Sequence, residues 1–391
     1  MTPEEIELLS ELTVVIPTYN RPLELERSIE YWRDTPVTVH ILDGSEKPWF
    51  PIGVLPDAKN ITYHFLPKSQ SETPSENYSR RMRLSGDLAK TNFAAICGDD
   101  DYFLLSGLVE AIRVLSTSYI IDAIVGEVLW FKKGDHKICW KLKYPEWKAP
   151  TLADSANLEI RLLQMHPYIF YGVLRTNLFI ERSRLGFEIG FTESIYMEDL
   201  MLHLGRALCR TSVINAALWL RQSTLRDVYW GESRNTPDPN FVLPNGTNYA
   251  DFLYEKLKHC GIYRSDKFGE QFDSLLIERT VGRLMHRVRY DSVKQSSLFA
   301  NLLAVVTKLS SKLTLIQRKR INLLSKLILR RSVFTEIDDR SSLNIGCHSI
   351  DDLIKFFKLS NILHNQDEIL AFENLTLSGR ENLKTKSNIC F

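Results

Sequence analysis

LTVVIPTYNRP, residues 12–22, joins two opposite local signals at Pro17. Residues 12–16 are apolar and β-branched, the composition of a strand buried on both faces. Pro17 and Pro22 bracket a short polar turn. Pro22 suits the first position of a helix, where its missing N–H costs no hydrogen bond. Leu25, Ile29 and Trp32 then recur at helical spacing, so residues 23–33 are expected to be helical. A buried strand that turns through a polar loop into a helix is the first unit of an α/β protein.

The same alternation continues outward. Residues 37–42 read as a second strand, ended by Asp43, Gly44 and Ser45. Residues 61–65 read as a third and residues 75–90 as a polar helix. Residues 93–97 (FAAIC) form a fourth strand, which runs into Gly98, Asp99, Asp100 and Asp101. Apolar strands separated by helices predict an α/β fold, with a mostly parallel sheet flanked by helices. Ligands of such sheets bind at the carboxyl ends of the strands, where Thr18, Asp43 and the Asp99–Asp101 run all fall. Further on, residues 104–115, 153–165 and 198–210 are expected to be helical, and residues 122–130, 168–174 and 212–221 extended. A stretch rich in Pro, Asn and Gly over 231–247 marks a loop or boundary, and from residue 249 onward the pattern is helical.

The chain has 391 residues, 44% apolar and 25% charged, which suits a folded protein of about two domains. The net charge of +1 gives no cause to expect nucleic acid as a partner, but it hides an asymmetry. Residues 279–331 carry thirteen Lys and Arg against the single acid Asp291, a local charge of +12. The six cysteines are scattered singly, which excludes a CxxC metal or redox motif and predicts reduced thiols and a cytoplasmic location. No apolar run reaches the roughly 18 residues of a spanning helix, and the acidic start lacks the marks of a signal peptide.

Three acidic features could carry chemistry. Adjacent carboxylates at Asp99, Asp100 and Asp101 repel one another, and a hard cation such as Mg²⁺ or Mn²⁺ would relieve that repulsion. The plainer reading is a solvated turn that caps the helix beginning near Leu104. Glu198 and Asp199 are either a dipole-stabilising pair at a helix start or a general base and its neighbour. Asp43 alone reads as a turn residue.

Taken together, the motifs resemble the family 2 glycosyltransferases of GT-A fold. The quoted opening stretch is similar to that family's first strand and loop, and ILDGS (residues 41–45) to its second motif. An acidic cluster near residue 100 follows, read as an Asp-x-Asp motif on Asp99 and Asp101. Glu198 and Asp199 match the later acidic pair, and Trp219 and Arg221 the aromatic–Arg stretch after it. The resemblance covers about residues 12–226. It implies a metal-dependent, inverting, non-processive transferase that moves a sugar from a nucleoside-diphosphate sugar, UDP favoured, to a hydroxyl of a glycan or lipid-linked acceptor, as in building a polysaccharide.

The resemblance also implies roles. Pro17, Thr18, Tyr19 and Arg21 would line the nucleotide pocket, and Asp43 would bond the base. Asp99 and Asp100 would face the ribose or donor sugar, while Asp101 with Asp99 would hold Mn²⁺ or Mg²⁺. Asp199 would be the base, Glu198 would orient the acceptor, and Arg221 would neutralise the leaving diphosphate. Arg80 and Arg81 are further candidates for that task, with an exposed basic helix face as their plainer reading. The expected organisation is a GT-A domain over 1–246, with a nucleotide-sugar half near 1–115 and an acceptor half near 116–246. A mainly helical domain over 247–391 follows. Its basic segment 279–331 is either a solvated helix face or a surface for an anionic membrane, which would make the enzyme peripheral on the inner face. A catalytically silent module that binds a nucleotide sugar or glycan as a scaffold is the alternative. A nucleotidyltransferase would want a Gly-rich phosphate loop after the first strand, and residues 17–22 contain no glycine.

Overall fold

The computed structural model describes residues 1–133, 138–142, 161–162, 169–186, 194–222, 242–243, 245–268, 345–347, 353–354, 357–358 and 364–386. The basic segment 279–331 and residues 231–241 and 244 of the expected loop over 231–247 lie outside them, as does nearly all of the helix expected over 153–165. In chain order the elements begin with α1 (Pro3–Ser10), β1 (Leu12–Thr18), α2 (Pro22–Trp32), β2 (Thr38–Asp43), β3 (Gly53–Leu55) and β4 (Ala58–Phe65). Then come α3 (Pro74–Leu88), β5 (Phe93–Ile96), β6 (Tyr102–Phe103), α4 (Leu105–Thr117), β7 (Ala123–Lys133) and β8 (Ile138–Leu142). A short 3-10 turn (Ile169–Tyr171) leads into β9 (Val173–Arg175), α5 (Thr176–Gly186), α6 (Ser194–Leu208) and β10 (Thr211–Gln222). The described elements end with α7 (Tyr249–Phe268), β11 (Ile345–Cys347) and α8 (Gln366–Lys386).

The fold is mixed α/β. The centre of the sheet is parallel, in the order β5-β1-β2-β4, and helices flank it on both faces. A second parallel pair, β7 with β10, is joined to it through β9, which runs antiparallel to both β5 and β7. Residues 168–174, expected to be extended throughout, divide into the 3-10 turn and the three-residue β9. Aromatic residues there satisfied the strand pattern, but the chain must turn before it can enter the sheet.

Alternation along β1 shows how the two faces are filled. Val15 joins a core cluster with Met82 of α3, Leu178 of α5, Leu204 of α6 and Leu253 of α7. Val14 and Ile16 face the other way, onto Leu25 and Ile29 of α2 and Leu108 and Ile112 of α4. Each fully buried aliphatic side chain contributes roughly 1.5–3 kcal/mol, so a strand apolar on both faces is held from both sides. Residues beyond 246 share in this packing. Tyr249 and Phe252 sit in the first cluster, β11 pairs with β8, and Leu353, Phe357, Ile369 and Phe372 fill a third cluster with Tyr102, Phe131 and Trp140.

Candidate active site

Three parallel strands end together. Thr18, Asp43 and Ile96 close β1, β2 and β5, and the β5 end leads straight into Gly98–Asp101. The loop after β1 turns at Asn20, whose φ of 52° lies in the left-handed region that Asn tolerates better than most residues. Ser45 secures the turn by accepting the Asn20 N–H at 2.8 Å. Arg21 then projects across the strand ends and donates to Asp99 Oδ1 at 2.7 Å and to Asp100 Oδ2 at 2.6 Å. Thr18 donates to the other oxygen of Asp99 at 2.7 Å.

Asp101 is held from a different direction. Its Oδ1 accepts the backbone N–H of Gln222 at 2.9 Å, and Arg221 beside it supplies a stabilising charge. Arg221 lies over the Trp130 ring at 4.6 Å and the Trp219 ring at 5.4 Å, while Tyr171 stacks on Trp219 with centroids 4.0 Å apart. Burial and the neighbouring carboxylates push the Asp101 carboxyl well above its usual range. Burial likewise carries Asp99 up to about 7 against the pull of Arg21.

The fit of a divalent cation depends on which oxygens remain open. Both oxygens of Asp99 accept hydrogen bonds, Oδ2 from Thr18 and Oδ1 from Arg21. Asp100 Oδ1 and Asp101 Oδ2 accept no hydrogen bond among the described residues, and both lie beside Gly98. A Cβ on Gly98 would stand 3.1 Å from Asp101 Oδ2 and 3.4 Å from Asp100 Oδ1. Among the described residues no three His, Cys, Asp or Glu side chains converge into a complete metal cage. Mg²⁺ commonly uses one or two carboxylates together with substrate phosphates, so Asp100 and Asp101 fit such an ion as hard oxygen donors.

Asp43 is fully buried and faces inward. One oxygen accepts from the backbone N–H of Ser45 at 2.8 Å and from the Ser45 hydroxyl, and the other accepts from the Tyr63 hydroxyl. As placed, it fixes the loop after β2. Pro17 and Tyr19 are half-buried at the same edge. Arg80 is exposed and pairs with Glu72, as an exposed basic face requires, but Arg81 is 1% exposed. Its Nη1 donates to the Thr18 carbonyl at 2.8 Å and to the Leu42 carbonyl at 2.6 Å, and its Nε donates to Asn77 Oδ1 at 2.8 Å. A Cβ at Gly44 would lie 2.4 Å from Asn77 Oδ1 and 2.6 Å from Arg81 Nε, so this lashing of β1 to β2 needs glycine there.

Glu198 and Asp199 lie on α6, which begins at Ser194, so they fall in its second turn and neither caps it. Their side chains lie outside the described residues. The structure thus brings together Thr18, Arg21, Asp99, Asp100, Asp101 and Arg221. Trp130 and Tyr171 join the group unannounced by any sequence signal, because only the pairing of β7 with β10 and the 3-10 turn place them there.

An open depression of about 730 Å³ lies at the opposite, amino-terminal edge of the strands, lined in part by Glu4, Glu7, Glu11, Arg175 and Thr176. Glu4 pairs with Arg113 and Glu11 accepts from Asn92, so its acidic groups are largely satisfied internally.

No protein-family model matches the chain, and no curated protein matches its sequence. Among solved structures it is similar to residues 1–349 of TarS from S. aureus in complex with UDP-GlcNAc. That likeness has 16% identity and a TM-score of 0.43, covering 95% of this chain and 92% of that one. It is also similar to the mannosyltransferase PcManGT from Pyrobaculum calidifontis in complex with GDP-Man and Mn²⁺. There the identity is 13% and the TM-score 0.36, with 81% of this chain and 85% of the other covered. Among the described residues no helix is long and apolar enough to cross a membrane.

Proposed function

We propose that this protein is a metal-dependent, inverting glycosyltransferase of GT-A type and the family 2 pattern. It would transfer one sugar from a nucleoside-diphosphate sugar to a hydroxyl of a glycan or lipid-linked acceptor. The observation that carries this reading is the convergence of Arg21, the Asp99–Asp101 loop and Arg221 at one edge of a parallel sheet. That edge offers open carboxylate oxygens to a cation and guanidinium groups to phosphate, which is the equipment a departing diphosphate needs. The motif resemblance supplies the reaction class.

In this mechanism residues 17–21 and the loop after Asp43 seat the nucleotide in the half near 1–115. Asp100 and Asp101 would hold Mg²⁺ or Mn²⁺, which would offset charge on the diphosphate. Thr18 and Arg21 keep Asp99 fixed toward the ribose or donor sugar, and Arg221 faces the leaving group. Asp199, in the half near 116–246, takes the proton of the acceptor hydroxyl with Glu198 orienting it. The acceptor oxygen then bonds the anomeric carbon from the face opposite the diphosphate. The carbon–oxygen bond to phosphate breaks and its electron pair leaves with the diphosphate, so the anomeric configuration inverts. Residues 279–331 would draw the enzyme to an anionic membrane surface on the cytoplasmic side.

The deciding experiment is a thermal-shift and calorimetric screen of UDP- and GDP-sugars with and without Mn²⁺. A metal-dependent rise in midpoint with one donor is expected, and no response to any of them would remove the reading. With that donor, Asp199→Asn should keep its affinity yet lose about a hundredfold in turnover, the lower range for a missing general base. Unchanged turnover would show that another group takes the proton. Sedimentation with anionic but not neutral vesicles at low salt is expected for the membrane surface.

A further inference from the structure

Helix α4 follows the acidic loop directly, yet it has no cap of its own. Its N-cap residue is Leu104, which supplies no side-chain hydrogen bond, and its first turn contains no acid. A helix start leaves several backbone N–H groups without an intrahelical partner. Here they are met from the far end of the chain. Glu368, in the first turn of α8, accepts from the backbone N–H of Leu105, from that of Ser106 at 3.1 Å and from the Ser106 hydroxyl at 2.6 Å.

The same helix braces the other segments that carry the site. Its Phe372 packs edge-on against Tyr102 at 4.8 Å and Phe131 at 5.0 Å, and lies 6.3 Å from Tyr31. Tyr31 belongs to α2, the helix that starts just after Arg21, and donates to the Phe103 carbonyl at 2.6 Å. Tyr102 and Phe103 form β6, whose pairing with Trp219 and Leu220 sets the meeting of Asp101 with Gln222. One turn of α8 therefore touches the element after Arg21 and the two elements after Asp101. Burial raises the Glu368 carboxyl from its usual range, as expected of a group held inside by hydrogen bonds rather than by water.

We propose that α8 is a positioning element of the cation and nucleotide site, with Glu368 capping α4 in trans and thereby fixing the Asp99–Asp101 loop. Glu368 is a positioning residue and touches no substrate. This inference rests on the proposed reading of the acidic loop as a donor site and adds a dependence of that site on the carboxyl-terminal segment.

The test uses the full chain and two variants, Glu368→Ala and Glu368→Gln. Binding of Mn²⁺ alone, and of UDP and GDP with Mn²⁺, is measured by electron paramagnetic resonance and calorimetry well below each unfolding midpoint. Glu368→Ala should weaken Mn²⁺ about tenfold, the scale set by loss of a helix cap. Glu368→Gln keeps the size and one acceptor oxygen and should recover part of that loss. A purely structural role would lower the midpoint and leave both affinities unchanged at low temperature, and that result overturns the proposal. If Glu368→Ala does not fold, Glu368→Gln decides alone: weaker Mn²⁺ binding supports the proposal, and wild-type affinity overturns it. Wild-type protein that binds neither Mn²⁺ nor nucleotide would instead remove the reading of the site itself, and the two failures are thereby distinct.

Discussion

Asp101→Asn should abolish transfer while making the free protein more resistant to heat. Asp101 is 6% exposed, one of three adjacent carboxylates, and its acid form is favoured by burial. An amide of the same shape can still accept the Gln222 N–H but carries no charge to repel Asp99 and Asp100. Removing an unfavourable buried charge stabilises a fold when the hydrogen bonds survive. The same change deletes one of the two open oxygens beside Gly98. Loss of cation-assisted charge stabilisation is worth several kcal/mol, so turnover should fall by about a thousandfold or more. Thermal unfolding with a Mn²⁺ titration separates the two effects. The wild type should gain stability with the ion by mass action, and Asp101→Asn should start higher and gain nothing. A variant that still responds to Mn²⁺ as the wild type does would place the cation elsewhere.

Arg81→Met is expected to cost the fold more than any exposed change. Met keeps most of the volume but withdraws the donors that serve the carbonyls of Thr18 and Leu42 and the Asn77 side chain. Each buried acceptor left without a partner costs about 1–3 kcal/mol, so the total should be about 4 kcal/mol, allowing for relaxation. The neighbouring Arg80→Met removes an exposed pair with Glu72 and should cost about 1 kcal/mol or less. Urea midpoints of the two variants, measured side by side, check the contrast. Similar midpoints would mean that the strand ends hold together without Arg81. Weaker nucleotide binding should accompany the first variant only, because Thr18 both accepts from Arg81 and donates to Asp99.

The contrast between Arg80 and Arg81 also marks the reach of sequence reading. Apolar runs with β-branched residues placed β1, β2 and β5 to within a residue or two, because burial on both faces leaves little else such runs can be. The polar residues at their ends followed, since strand ends are where a parallel sheet exposes its loops. Adjacent arginines look alike in a sequence, however, and only the close approach permitted by Gly44 decides that one of them turns inward. Asp43 was legible as a turn residue, but its enclosure by Tyr63 depends on the register of β2 with β4. Glu368 lies 263 positions from Leu105, and no local pattern connects an acid in one helix to the bare start of another. The short β9 was blurred for a related reason: three residues are too few for a period to declare itself.

That short strand has a consequence for where a ligand can enter. β9 bonds β5 only at Phe93 and Ala94, and β7 only at Ala123 and Ile124. Past those residues the seam between the two parallel blocks is unsewn. Ile96 and Cys97 still bond β1 at Val15, and the chain beyond them crosses toward β10, where Asp101 accepts the Gln222 N–H. The strand order reverses between β1 and β5, the topological switch point of the sheet, and the acidic loop leaves the end of one of those two strands. The acidic loop thus owes its reach across to β10 to a splice that stops two residues into β5.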